Sequence, residues 1–449
     1  MKFSLKKAFL VAMIAMIGLS ACGTTVTPVP ANIATPTVPG IEPTIAPPPT
    51  QPAESGPATI SVVHYFSNTT GKQTIDKLLA SFNQANPQYQ AVDNSPNRGD
   101  YSSQTQGMLA GDNQPDLLSY WAGVPLQNLV ASNYLMDLTG FWNNNNLDNL
   151  IPASIKASAT YDGKIYAIPQ DIHIVGFFYN PKVFAKAGIK TPPNTWADFL
   201  TDCSRIKAAG SVPIALGSKT HTSDEYWFDY LLAYSAGADY RQKLLSGQAS
   251  YTDPQVTQVM KTWQGLITLG YFIKAANLYQ WTDAADQVTQ GQAGMTLLNS
   301  EVTGYWDSKG FKAGVDYDFF PFPVMDSKIP PAVFGSVDTW VIPFHAKNSP
   351  GAQKLISQML DPQNQQLWLQ NQGDLAVVKS VPASAYSVTQ QKMISLLSQM
   401  PFYGSYDLST PAPVAESGLN TLALFMGNNL LFQNYLNQTE SIAKQTFGK

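Results

Sequence analysis

The sequence predicts an α/β protein whose folded part divides into two lobes. Two observations carry this. From residue 59 to the C-terminus, β-rich runs alternate with amphipathic helical runs, the pattern of α/β folds with mostly parallel sheets. About 390 residues follow an N-terminal leader and a proline-rich segment, more than one core comfortably holds. No internal sequence repeat is visible.

The elements follow in order. Lys2, Lys6 and Lys7 precede an apolar run over 8–19. Twelve helical residues span about 18 Å, too short for a ~30 Å hydrocarbon core, so residues 1–21 read as a signal peptide. The run ends in Leu19-Ser20-Ala21-Cys22, a lipobox in which Cys22 would be lipidated after cleavage, with acyl chains as the only membrane anchor. Residues 22–57 then carry closely spaced prolines among Thr, Val and Ala. Proline fixes φ and removes donors, so this stretch reads as an extended tether. Localisation follows: extracytoplasmic, held at the cell membrane by Cys22.

In the folded part, residues 59–66 read as a first strand, and Ile75, Leu78, Leu79 and Phe82 form one helical face. Residues 116–121 read as a second strand, 161–164 as a turn and 165–168 as a strand stopped by Pro169. Residues 172–179 read as a further strand. Thr195 caps a helix with Asp198 three residues on, and its apolar face includes Trp196, Phe199, Leu200, Cys203 and Ile206. That face makes Cys203 a buried, inert thiol. Strands are expected over 295–298, 340–342 and 376–378, and helices over 352–360 and 419–446.

Composition narrows the function. Charged residues make up 13% and the net charge is −4, with no basic cluster to hold nucleic acid. Four His and two Cys exclude zinc ribbons, iron–sulfur clusters and disulfide frameworks, and the His share no helical spacing that would mark a metal site. No cofactor motif occurs, and no GxSxG, HExxH, P-loop or GxGxxG pattern points to an enzyme. A glycoside hydrolase needs two carboxylates facing one sugar ring. A dyad such as Asp171 with Glu301 is open to the sequence, but no spacing favours it. What remains is aromatic residues beside polar ones at predicted strand ends, His64-Tyr65 and Ser119-Tyr120-Trp121. In α/β sheets ligands bind at the carboxyl ends of strands, and aromatic faces with polar neighbours suit sugars.

Over 161–216 the chain reads YDGKIYAIPQDIHIVGFFYNPKVFAKAGIKTPPNTWADFLTDCSRIKAAGSVPIAL, and over 290–295 it reads QGQAGM. This resembles family 1 extracellular solute-binding proteins, the carbohydrate receptors of ABC importers. Ile172-His173, the Pro213–Gly217 run and Trp281 bring it nearest the glucose- and mannose-type receptors. The resemblance implies a two-lobed periplasmic-binding-protein-like fold (type II), with hinge crossings over 172–179 and 336–342 and a ligand cleft between the lobes. The solute-binding domain would be 58–449, with one lobe over about 59–172 and 338–365 and the other over about 173–337 and 366–449.

It also implies site residues. Trp281 matches a stacking tryptophan, Asp338 a cleft aspartate, Tyr65 or Phe66 the first-strand aromatic and His173 a hinge histidine. Trp121 falls where a polar cleft residue usually lies. The usual Gly-Asp-Trp is here Asn299-Ser300-Glu301, and Gln372 falls near the place of a lysine. Asp171, Asp224 and Asp374 are further candidates. The implied function is capture of a neutral mono- or small oligosaccharide, as a monomer, for delivery to ABC transporter permease subunits. The alternatives are a same-fold receptor for a peptide, polyamine or metal chelate, a tethered hydrolase, and an adhesin or sensor. Arg98, Arg205 and Arg241 lie away from the landmark loops, which favours a neutral ligand over a carboxylated or phosphorylated one.

Overall fold

A computed structural model describes residues 56–66, 69–96 and 101–449. The expected signal peptide, Cys22 and most of the expected tether lie outside the described residues. The strands are β1 (Ala58–Val63), β2 (Tyr89–Asp93), β3 (Leu117–Trp121), β4 (Thr160–Tyr161), β5 (Lys164–Ile165), β6 (Ile168–Tyr179), β7 (Val212–Ala215), β8 (Ala293–Asn299), β9 (Asp318–Phe320), β10 (Val333–Val341), β11 (Leu375–Ala376) and β12 (Phe402–Gly404). Ten of them form one sheet of order β2-β1-β3-β10-β6-β8-β7, with β9 and β11 also on β6 and β12 on β10; β4 and β5 form a separate hairpin.

The expectation of mostly parallel strands is corrected. β1 pairs in parallel with β2 and β3, β7 with β8, and β10 with β12. Every pairing of β6, and that of β10 with β3, is antiparallel. The reason lies in β6 and β10, two long strands that run through the middle of the sheet and against its flanking strands. β6 changes partners along its length. Ile168–Ile174 pair with β10, and Val175–Tyr179 pair with β8. All twelve of its residues are buried, as expected of a strand covered on both faces.

β6 also corrects the strand break expected at Pro169. The β6–β10 register slips between Asp338 and Thr339, so that Asp338 faces Asp171 while Thr339 faces Pro169. Gln170 bulges out of the ladder, the place where a sheet tolerates proline. The bulge is satisfied by side chains. Trp340 Nε1–H donates to Gln170 Oε1 at 2.8 Å, and Gln365 Nε2–H donates to the Gln170 carbonyl at 2.9 Å.

Helices cover the sheet. Thr69–Ala85 buries Ile75, Leu78, Leu79 and Phe82 as its periodicity requires. Trp196–Ala208 is capped as expected. Thr195 Oγ1 accepts from Asp198 N–H at 3.2 Å, and Cys203 on its inner face is fully buried. Burial pushes that thiol well above its ordinary pKa. The helical stretch over 419–446 is two helices, Ala412–Gly427 and Phe432–Phe447, joined by the 3-10 turn Asn429–Leu431. One core cluster centres on Ile60, Trp142, Trp306 and Trp340, a second on Phe177, Trp227 and Trp263. No helix among the described residues is long and apolar enough to cross a membrane.

Candidate functional site

Strand pairing assembles the site. Asp338 on β10 lies opposite Trp121 on β3 and Asp171 on β6, and Ser336 lies opposite His173. Residues more than 200 positions apart in sequence thus form one row across three strands. Just past β1, Tyr65 stacks on Trp121 at 4.3 Å with 16° between the rings. From the other end of β6, the antiparallel pairing of Val175 with Asn299 delivers Asn299 at the end of β8, and the helix Glu301–Ser308 starts there. Asp374 follows the helix Pro362–Gln372.

These residues enclose an inner cavity of about 270 Å³, lined by Tyr65, Phe66, Trp121, His173, Asn299, Glu301, Ser336, Asp338, Gln372 and Asp374. A wider cavity of about 630 Å³ shares Trp121, Asn299 and Ser336 with it and extends past Tyr120, Glu225, Tyr226, Asp407 and Glu416. Stacked rings at one wall and short polar groups at the others provide a flat apolar face and directional hydrogen bonding.

Electrostatically, the floor is an imidazole among carboxylates. His173 Nε2 lies 3.1 Å from Asp338 Oδ2 and 3.4 Å from Asp171 Oδ1, and Nδ1 lies 2.9 Å from Asp374 Oδ1. Burial opposes a charge on the ring, but the Asp374 and Asp338 carboxylates prevail and push its pKa well above the ordinary value. His173 is therefore an imidazolium at neutral pH. Asp171 is fully buried behind it and accepts from Trp368 Nε1–H at 2.5 Å. Burial, then the Asp338 and Asp374 charges, raise Asp171 well above the carboxylate range. Asp171, His173 and Asp338 bring donor atoms within 4.8 Å of one another, but the imidazolium already occupies the centre of that group. Burial, followed by Asp338 and Asp171, keeps the Tyr65 phenol protonated and able to donate.

In the wider cavity Glu225 Oε2 accepts from Asp407 N–H at 3.0 Å. Burial raises both carboxyls, Glu225 well above its usual range and Asp407 to about 6.

The structure brings most of the sequence candidates together. Tyr65, Trp121, His173, Asn299, Glu301, Asp338, Gln372 and Asp374 line the inner cavity, and Tyr120 lines the wider one. Others stand apart. Trp281 lines neither cavity; it opens the helix Trp281–Thr289 and meets Tyr305 edge-on at 5.2 Å. His64 turns toward β2, with Nε2 3.4 Å from Asp93; burial lowers its pKa and keeps it neutral. Asp171 supports His173 from behind the lining, and Asp224 is buried under the Ser218 hydroxyl, which donates to it. Sequence reasoning missed Ser336, Tyr226 and Asp407 and gave Glu225 no site role. Ser336 and Asp407 sit in segments with no motif. Glu225 and Tyr226 lie on the helix Ser223–Ala236, which is buried on nearly every side with its polar residues mixed among apolar ones, and so shows no readable face.

Residues 67–366 match the family model described as bacterial extracellular solute-binding protein. A protein of Pyrococcus horikoshii, described as an uncharacterised ABC transporter extracellular-binding protein, is 26% identical over 362 residues, 79% of each chain. A probable sugar-binding periplasmic protein of Mesorhizobium japonicum is 25% identical over 40% of this chain and 43% of its own length. Among solved structures, the solute receptor AcbH, described as exclusive for β-D-galactopyranose, superposes with a TM-score of 0.79 at 23% identity, over 87% of this chain and all of its own. A chitin oligosaccharide binding protein superposes equally, at 20% identity over 88% of this chain and all of its own. At these identities the superpositions establish the two-lobed fold alone. The chain belongs to the bacterial extracellular solute-binding protein family, the extracytoplasmic receptors of ABC transporters.

Proposed function

We propose that this receptor captures a neutral mono- or small oligosaccharide and presents it to ABC transporter permeases without altering it. The observation that carries the reading is the inner cavity itself. The Tyr65–Trp121 stack offers a sugar's C–H face an aromatic surface, while Asp338, Asn299, Ser336 and Gln372 offer its hydroxyls acceptors and donors. A wrong epimer would leave such buried groups unpaired, so the cavity is suited to selection. The adjoining 630 Å³ gives room for further sugar units. Two carboxylates flanking one ring are all a hydrolase needs, but here Asp338 and Asp374 both turn onto His173, at 3.1 and 2.9 Å.

We further propose that the protein is a monomer, that Cys22 is lipidated, and that residues 23–57 hold the receptor off the membrane. Cys22→Ser would release the protein from the membrane fraction; retention there would exclude the anchor.

The site is tested by isothermal titration against a panel of mono- and disaccharides. For any sugar that binds, Trp121→Ala is expected to cost about 2 kcal/mol, roughly thirtyfold in Kd, through lost apolar contact. Unchanged affinity in a folded variant would remove the inner cavity from consideration.

A further inference from the structure

The two cavities differ in exposure as well as in size. Every residue lining the inner cavity is buried or half-buried. The wider cavity is rimmed instead by Gln106, Asn128, Ser132, Thr222, Ala412 and Glu416, all exposed. Trp121, Asn299 and Ser336 line both, so the two form one space, enclosed at the inner end and open at the outer. The outer part is a groove between two helix faces. Pro125, Asn128 and Leu129 share one face of the helix Val124–Ala131, and Ala412, Glu416 and Leu419 share one face of the helix Ala412–Gly427.

Cavities that enclose a drug-sized ligand run from about 300 to 1,000 Å³. On that scale the inner 270 Å³ holds one sugar ring, and the wider 630 Å³ holds about two more. The chemistry changes along the same line. Buried His173, Asp338, Gln372 and Asp374 surround the inner end, where a misplaced hydroxyl leaves a polar group without partner or water. Leu129, Leu408, Ala415 and Leu419 give the groove apolar walls, and at its exposed rim water replaces a lost partner.

We infer that the ligand is a linear oligosaccharide of about three units, bound end-on. One terminal unit fills the inner cavity, the following units lie between the two helix faces, and the far end projects into solvent. This rests on the reading of the protein as a carbohydrate receptor and narrows it to a chain read from one end. Trp121, at the junction, offers its ring to the first two units. Asn299, held by a hydrogen bond with Tyr226, lies beside the linkage between them.

The experiment is isothermal titration of the purified full chain with malto-, cello-, manno- and xylo-oligosaccharides of increasing length, from the monosaccharide to the pentasaccharide. In a series that binds, the trisaccharide should bind about tenfold or more tighter than the monosaccharide, and the pentasaccharide within about twofold of the trisaccharide. A fluorophore on one end of the trisaccharide should be tolerated, and the same group on the other end should abolish binding. Ala412→Trp, verified as folded by circular dichroism, narrows the groove and should lower the ratio of trisaccharide to monosaccharide affinity by about tenfold. A monosaccharide that binds as tightly as its trisaccharide, an excluded pentasaccharide, equal effects of the label at both ends, or an unchanged ratio in Ala412→Trp would overturn the inference and leave the carbohydrate reading standing. Binding of no sugar of any length would overturn both.

Discussion

Asp224 shows how burial can defeat a favourable local field. It lies in the first turn of the helix Ser223–Ala236, where the helix dipole favours a negative charge. It is nonetheless fully buried, with the Ser218 hydroxyl donating to it, and its pKa is pushed up to about 7. Desolvation outweighs dipole and hydrogen bond together. The folded state therefore holds a proton that the unfolded chain releases near pH 4. Between about pH 4 and 7 the native state binds more protons, so this group's contribution to stability is intact below pH 4 and declines as pH rises to 7. Three pK units correspond to about 4 kcal/mol at most. Asp224→Asn carries no titrating proton. Calorimetry should show its Tm, relative to wild type, rising by a few degrees from pH 4 to pH 8. Any constant penalty for the buried amide shifts the whole difference without tilting it, so a flat difference would refute the argument.

At the scale of elements, β6 and β10 hold the fold, and their contact depends on one missing side chain. A Cβ on Gly335 would overlap the His173 carbonyl on β6 and lie 3.1 Å from the Phe402 ring. Gly335→Ala should therefore destabilise by about 3 kcal/mol and weaken ligand binding by displacing His173. Gly107, inside the helix Tyr101–Ala110, has nothing within 4 Å of its would-be Cβ, so Gly107→Ala should stabilise by up to about 1 kcal/mol. Urea titration of the pair reads opposite signs; a shift in the same direction for both would sink the steric account of Gly335. These elements also mark how far the sequence could be read. The helix Thr69–Ala85 and the cap at Thr195 were legible because periodicity and capping are local. β6 was broken at Pro169 in the reading because the bulge that admits proline is built by Trp340 and Gln365, residues 171 and 196 positions later. The aromatic and charged residues at strand ends pointed into the cleft, but the carboxyl pair of Glu225 and Asp407 forms only through tertiary contact.

At the scale of the whole molecule, the position of the cavities argues for motion. Their walls come from segments that pair with different ends of β6. Trp121 and Asp338 belong with the Ile168–Ile174 end, and Asn299 and Glu301 follow the Val175–Tyr179 end. β6 changes partner between Ile174 and Val175, and Gly335 on β10 stands opposite Ile174. A small rotation at that point would carry one wall toward the other without breaking either half of the sheet, the hinge type of domain closure. Such closure would bury the ligand and form the surface that a permease distinguishes from the empty receptor. Small-angle scattering at saturating ligand should then show the radius of gyration, about 21 Å for a compact unit of this length, falling by on the order of 1 Å. A ligand shown by titration to bind in the inner cavity, yet leaving the radius unchanged, would mean that the site is preformed. Recognition by the transporter would then have to rest on something other than closure.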